Sequence, residues 1–174
     1  EMLVLERLLQ DGERDPHETV SGWVGPLGAD QDFVYSDRAI EVKAVGPGAD
    51  SISVSSLEQL DCPVSMYLVL ATLRPATPGE PGAVALNSLA AKIEGMIAKS
   101  PEALGTFKDR LLEARYVEHE YYETILFDPM SVAAYTVTET FPKLVRDMVP
   151  SGIVSASYSI EIDSIAGFVS DLPK

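Results

Sequence analysis

The stretch QDFVYSDRAIEVKAV, residues 31–45, carries the strongest structural signal in this chain. Two short runs of β-favouring residues, DFVYS and AIEVKAV, lie on either side of the pair Asp37 and Arg38. Such runs predict two adjacent strands joined by a tight turn, which makes the strands antiparallel. The second strand also carries Glu41 and Lys43 among apolar residues. We therefore expect a hairpin that holds charged side chains in an apolar setting.

Two carboxylates and one lysine should converge on this hairpin. Side chains alternate between the faces of a strand, so Glu41 and Lys43 share one face and Val42 points to the other. Asp32 begins the preceding strand, and an antiparallel pairing brings it within reach of both. Magnesium binds one or two carboxylates, and a nearby lysine can position water or neutralise a phosphate. The grouping favours metal-assisted hydrolysis of a phosphodiester.

The flanking segments predict helices and a buried strand. EMLVLERLLQ, residues 1–10, has apolar residues at helical spacing and is followed by Gly12. Its first residue, Glu1, lies on the buried stripe and not on the wet face. VSMYLVLATL, residues 64–73, fits a strand buried on both faces. Two further helices are expected over residues 85–100 and 101–116.

The remaining segments are read from turn and strand signals. Residues 17–31 predict a loop, residues 51–56 a third strand, and LEQL, residues 57–60, a short helix. Strand-like runs return at residues 131–140 and 153–162. The expected helix N-caps are Asn87 or Ser88 and Ser100. This order of elements predicts a mixed sheet covered by helices, either α/β or α+β.

The motif D-x8-E-x-K on a hairpin, with an acidic residue on the preceding helix, resembles the PD-(D/E)XK nuclease superfamily. GWVGP, QDF, IEVKA and SSLEQL, in this order, are similar to a bacterial PD-(D/E)XK group of poorly assigned function. The resemblance covers about residues 1–75, which form the expected catalytic core. It departs from the usual motif at Gln31, where a proline commonly precedes the aspartate.

The resemblance implies an α/β, restriction-endonuclease-like fold, with a mixed β-sheet core flanked by helices. It also implies that Asp32, Glu41 and Lys43 are the catalytic residues. Asp32 and Glu41 are the implied metal ligands, with Glu1 as a further metal-site acid. Gln59 and Ser56 are the implied supporting residues. The implied cofactor is Mg²⁺, with Mn²⁺ as a substitute, and no organic cofactor is expected.

Composition limits the possible partners and compartments. The 174 residues, of which 46% are hydrophobic, predict one domain over residues 1–174. No apolar run is long enough for a membrane span, and no signal peptide is evident, so we expect a cytoplasmic protein with no membrane partner. Cys62 is the only cysteine, which excludes an internal disulfide. The chain begins within a helix, so we expect it to be the C-terminal part of a longer protein.

The function that follows is a metal-dependent endonuclease cutting DNA, in the context of bacterial restriction or phage defence that the resemblance suggests. A net charge of −14 argues against a broad basic surface for nucleic acid. We therefore expect help from a local groove, a homodimer or a partner subunit. Two alternatives stay open. One is a non-catalytic scaffold or subunit with the same fold, and the other is an RNA-processing nuclease that uses the same residues.

Overall fold

The computed structural model describes residues 1–173 and contains both helices and strands. The α-helices are α1 (Met2–Asp11), α2 (Pro16–Ser21), α3 (Leu86–Ile97) and α4 (Pro101–Glu113). The strands are β1 (Phe33–Val34), β2 (Arg38–Val45), β3 (Ser51–Val54), β4 (Ser65–Ala76), β5 (Val84–Ala85), β6 (Leu126–Thr136), β7 (Tyr158–Glu161) and β8 (Val169–Ser170). Short 3-10 helices occur at Gly25–Leu27, Glu120–Glu123, Arg146–Met148 and Ile162–Phe168.

The residues divide into two units, each with its own core. Unit 1 consists of Glu1–Ala29 and Leu73–Met130, and unit 2 consists of Asp30–Thr72 and Ser131–Pro173. Strands β4 and β6 each contribute residues to both units. The expectation of one domain over residues 1–174 stays a prediction.

Unit 1 contains the four α-helices. Helix α1 buries Val4, Leu5 and Leu8 along one stripe, as the apolar spacing predicts. It ends at Gly12, whose φ of 70° is left-handed and is adopted at little cost by glycine. Beside these helices, β5 pairs antiparallel with the start of β6, where Val84 is opposite Phe127.

Trp23 links several elements of unit 1. Its ring packs against Phe107 of α4, with 5.9 Å between the ring centroids. The Arg110 guanidinium donates a hydrogen bond of 2.7 Å to the Trp23 carbonyl. Phe107 is fully buried and Trp23 nearly so, which makes this contact a central part of the helical core.

Unit 2 is built around the hairpin predicted at residues 31–45. Strands β1 and β2 are antiparallel, with Phe33 opposite Ile40. The Tyr35 amide donates to the Arg38 carbonyl and closes the turn. Strand β4 pairs with β2 in parallel, and the strand order continues from β4 to β6, which also pairs with β8. The sheet is therefore mixed. With the helices it gives an α/β fold of the restriction-endonuclease-like kind.

The core of unit 2 includes residues from both ends of that unit. Strands β3 and β7 form a separate two-stranded antiparallel sheet in which Ile52 is opposite Ile160. The core members are contributed by strands and by the segments between them: Ala39, Ile52, Val54, Leu60, Met66, Leu68, Leu70, Tyr135, Val137, Phe141, Ile160 and Ile165. The C-terminal third of the chain is thus part of the same core as the hairpin.

Two predicted elements are wrong. The expected loop over residues 17–31 begins inside α2, because Asp15 caps this helix by accepting the His17 amide and Pro16 suits the first turn. LEQL forms bends and a turn instead of a helix. Its Gln59 side chain accepts the Ser55 amide, a local bond that competes with helical pairing.

The helix caps are partly as expected. Ser100 caps α4 by accepting the Ala103 amide, which confirms that prediction. The predicted N-caps Asn87 and Ser88 of α3 are wrong: the helix begins at Leu86, with Ala85 at the N-cap. Ser88 accepts the Ala85 amide and donates to the Ala85 carbonyl, while Asn87 donates to the His119 carbonyl. Across residues 1–173, no helix has the length and apolar character to cross a membrane.

Phe107→Ala tests the helical core of unit 1. Removal of a buried aromatic ring leaves a cavity, so we expect the free energy of unfolding to fall by about 3–5 kcal/mol. Urea unfolding followed by fluorescence measures this, because Trp23 is the only tryptophan and contacts Phe107. The matched control is the exposed neighbour Lys108→Ala, with an expected change within about 0.5 kcal/mol. Equal losses in both variants would contradict this assignment of the core.

Candidate active site on the hairpin of unit 2

The hairpin register brings Asp32 alongside Glu41. Phe33 is opposite Ile40 and Val34 is opposite Ala39, so the next position of the ladder joins residues 32 and 41. An Asp32 carboxylate oxygen accepts the Val42 amide at 2.8 Å. Its side chain is therefore held against the backbone of β2, at the residue that follows Glu41. Sequence reasoning predicted this convergence from the turn alone.

Glu41 and Lys43 form an ion pair within the unit. Lys43 Nζ lies 2.8 Å from Glu41 Oε1, and the exposed fractions of the two side chains are 16% and 4%, respectively. A carboxylate this deeply buried is costly unless a cation or hydrogen-bond donors compensate for lost water. Lys43 supplies that compensation. The pair lies in the middle of an eight-residue strand, where Glu41 is opposite Leu68 and Lys43 is opposite Leu70, so pairing with β4 fixes its position.

Gln59 is a second partner of the lysine. Its Oε1 accepts from Lys43 Nζ at 2.9 Å and from the Ser55 amide at 2.9 Å. Gln59 is thus beside the predicted residues, but on a turn and not on the expected helix. The Ser56 side chain hydrogen-bonds to Glu58. Ser56 therefore supports the turn. Its role as a supporting residue of the site stays a prediction.

Sequence analysis missed the residues that hold this turn. Gln31, noted only as a departure from the motif, is buried and donates to the Glu58 carbonyl at 2.7 Å. From the C-terminal part of the unit, Lys143 donates to the Leu60 carbonyl at 3.3 Å. Arg146 Nη2 lies 2.6 Å from Glu58 Oε1. These contacts join positions 27 to 88 residues apart in sequence, and no local pattern marks them.

Arg146 is itself fixed by the backbone. Its guanidinium donates to the carbonyls of Ile153 and Val154, each at 3.0 Å. The hydrogen bond from Arg146 is the main cause that lowers the pKa of the Glu58 carboxyl below its ordinary value of 4.5. The segment around residue 146 therefore has a definite role in unit 2. It braces the turn that presents Gln59 to Lys43.

Glu1 lies in unit 1 and takes part in a different contact. It is at the N-cap of α1 without a side-chain capping bond. Its Oε2 accepts a hydrogen bond of 2.6 Å from Trp23 Nε1. Glu1 is exposed, so the prediction that it lies on the buried stripe is wrong. The role of Glu1 as a metal-site acid stays a prediction.

The donor set on the hairpin suits a hard divalent cation. Asp32 and Glu41 offer carboxylate oxygens, and Mg²⁺ commonly takes one or two protein carboxylates, with water and substrate oxygens completing the shell. No cluster of three or more His, Cys, Asp or Glu side chains suited to a metal occurs in the described part of the chain, residues 1–173. A cation bound here would therefore rely on these two carboxylates, together with water or substrate.

The family assignment rests on a match that spans most of the sequence. Residues 1–163 match the model of a family described as "Putative PD-(D/E)XK family member", DUF4420. The chain belongs to this family. No curated protein and no solved structure gives a significant match.

Membership of the PD-(D/E)XK family connects the hairpin residues with a known sequence signature. The family match confirms the resemblance drawn from D-x8-E-x-K, and it extends well beyond residues 1–75. The superfamily consists largely of nucleases that use divalent metal ions, so its sequence signature indicates nuclease chemistry. The individual roles of Asp32, Glu41, Lys43 and Gln59 remain predictions that the geometry on this hairpin makes testable.

Glu58→Gln tests the bracing of the turn by Arg146. Because the pKa of Glu58 is lowered in the folded state, its ionised form stabilises the fold above the ordinary value of 4.5. That contribution is lost as the pH falls through the lower folded pKa. We expect the variant to have a lower urea midpoint than wild type at neutral pH, and the difference to disappear in acid.

The matched control is Glu139→Gln, an exposed glutamate of the same unit. Its urea midpoint should follow that of wild type across the same pH range. A difference between Glu58→Gln and wild type that persists unchanged in acid would contradict the ionic role of Glu58.

Proposed function

We propose that this chain is a metal-dependent nuclease whose site is the β1–β2 hairpin of unit 2. Asp32 and Glu41 hold the cation, and Lys43 orients the attacking water or a phosphate oxygen. One observation carries the proposal: Lys43 Nζ is fixed within 3 Å of both Glu41 and Gln59, on a strand where a lysine is only 16% exposed. Burial of a lysine costs free energy, and a mostly buried lysine with fixed partners is typical of a functional site.

The Lys43 ammonium has more N–H donors than protein partners. A lysine side chain has three N–H donors, and its partners within residues 1–173 are Glu41 and Gln59. The third donor is therefore available to a water molecule or a phosphate oxygen. With two partners fixing the nitrogen, that donor has a defined direction, which is what positioning of a nucleophile requires.

The two carboxylates have complementary surroundings. Asp32 has one oxygen on the Val42 amide, so its orientation is set by the backbone of β2. Glu41 is buried beside Lys43 and is oriented by the ion pair. A divalent cation held here would acidify a water molecule and stabilise negative charge on the phosphoryl group. Preorganisation of both side chains by the hairpin lowers the cost of binding that cation.

Substrate binding must overcome the charge of unit 2. Its basic side chains among residues 1–173 are Arg38, Lys43, Lys143 and Arg146, and each is bonded to a protein group. A DNA backbone therefore needs contacts from backbone amides, from a second copy or from a partner protein. DNA is the proposed substrate, and RNA uses the same chemistry. A role in restriction or phage defence is part of this proposal and rests on the resemblance alone.

Asp32→Asn, Glu41→Gln and Lys43→Met should each abolish cleavage. Supercoiled plasmid and a single-stranded RNA, incubated with Mg²⁺ or Mn²⁺, provide the substrates. We expect losses of about 10²- to 10⁴-fold in cleavage rate, the usual range for a positioned catalytic group. Calorimetry should show that the two carboxylate variants lose cation binding. Lys43→Met should keep it, because lysine is not a metal ligand.

The control is Asp30→Asn, which removes an exposed acid two residues before Asp32. It should cleave and bind the cation as wild type does. An equal loss of cleavage and cation binding in Asp30→Asn would mean that overall negative charge, and not the hairpin geometry, is responsible. If wild type neither binds the cation nor cleaves DNA or RNA, the non-catalytic scaffold is favoured instead.

Glu1→Gln tests the helix acid separately. A cation on the Glu1 carboxylate would draw charge from it and weaken the hydrogen bond from Trp23 Nε1, so Mg²⁺ addition should alter the fluorescence of this single tryptophan. Glu1→Gln should bind the cation more weakly and show no such fluorescence change. Identical affinity and cleavage in the variant and wild type would remove Glu1 from the site and leave Asp32 and Glu41 in place.

A further inference from the structure

Unit 1 contains an apolar cavity that the proposed nuclease chemistry does not use. Its volume is about 280 Å³. The lining residues come from α1, the start of α3, strands β4 to β6 and the segment before β6: Leu3, Leu73, Val84, Ala85, Leu86, Tyr122, Ile125, Phe127 and Pro129. Almost all of these side chains are apolar. The volume is at the small end of ligand sites and suits one or two large apolar side chains.

The cavity opens to solvent through exposed apolar residues. Ile125 and Phe127 line it and are 37% and 39% exposed. The same stretch of chain also exposes Val117, Tyr121 and Met130. Scattered apolar residues on a surface are ordinary, but a run of them beside an open apolar cavity is typical of a binding surface.

The wall formed by Tyr122 continues into a negatively charged region. Tyr122 stacks on Tyr116 with 5.6 Å between the ring centroids. Burial raises the pKa of the Tyr116 phenol, and the carboxylates of Glu118, Glu123 and Glu94 raise it further. Within residues 1–173 these three glutamates and Glu120 form no ion pair. Glu94 and Glu118 line a second, smaller cavity together with Tyr116, and Glu120 and Glu123 flank the Tyr121–Tyr122 pair in the chain. We name the apolar cavity and these four nearby glutamates the acidic-rimmed cavity.

We propose that the acidic-rimmed cavity binds a basic, amphipathic segment of a partner protein. An apolar side chain of that segment fills the cavity, and its lysines or arginines lie against Glu118, Glu120 and Glu123. Apolar anchors in a groove supply affinity, and charges at the rim supply orientation and partner choice. This proposal does not rest on nuclease activity.

Charge complementarity disfavours the other occupants. A second copy of this chain, with its net charge of −14, would bring the same glutamates face to face in a two-fold interface. An anionic membrane would be repelled by the same rim. A basic partner segment gains from the rim and from the cavity, and it brings positive charge to a strongly acidic chain.

A labelled synthetic peptide of about 18 residues, with leucine and lysine placed as an amphipathic helix, is the probe. Fluorescence anisotropy measures its affinity for the full chain. We expect the triple variant Glu118→Gln, Glu120→Gln, Glu123→Gln to weaken binding at least about tenfold, or 1.4 kcal/mol. The control removes three exposed acids elsewhere: Glu139→Gln, Glu161→Gln, Asp163→Asn. It should change the affinity by less than about threefold.

The cavity is tested by Val84→Phe, which fills it, and by Phe127→Ser, which removes an exposed lining ring. Each should weaken peptide binding about tenfold, and Trp23 fluorescence checks that unit 1 remains folded. The proposal is overturned if the control triple weakens binding as much as the rim triple, or if a leucine–glutamate peptide binds equally well. A dimer in sedimentation that Phe127→Ser dissociates would instead assign the surface to a second copy.

Discussion

A buried carboxylate governs the architecture of unit 2. Glu41, 4% exposed, is stabilised in the sheet by Lys43, whose Nζ lies 2.8 Å from its carboxylate. The lysine in turn depends on Gln59, and Gln59 depends on a turn that is held by Gln31 from one side and Arg146 from the other. The contacts of Lys43 and Gln31 pair partly buried groups, whereas Arg146 and Glu58 pair near the surface. The hairpin, the turn and the C-terminal segment therefore fold as one network.

C-terminal residues belong to the same core and to the same family match as the hairpin. Residues 131–163 contribute to the unit 2 core and hold the turn that presents Gln59. A hairpin with Asp32, Glu41 and Lys43 alone would leave the lysine free to choose among rotamers. The distant Arg146 restricts that choice indirectly, through Glu58 and the turn that carries Gln59.

The acidic composition has two different physical consequences. In unit 2 the basic side chains are used within the protein, which leaves little positive charge for a phosphate backbone. In unit 1 a group of glutamates without ion pairs lies close to Tyr116 and Tyr122, and Tyr122 lines an apolar cavity. Both features favour binding partners that carry positive charge. A basic partner would satisfy the rim of unit 1 and add attraction for nucleic acid near the complex.

The sequence by itself determined the elements with local causes. These include α1 and its end at Gly12, α4 with its Ser100 cap, the buried strand β4, and the hairpin that joins Asp32 to Glu41 and Lys43. Periodicity, capping and turn chemistry act over a few residues and can be read directly. Tertiary structure decided what depends on distant partners. Gln59 lies on a turn and not on a helix, β3 pairs with β7, and Arg146 braces residue 58, because hydrogen bonds across 88 residues leave no local pattern.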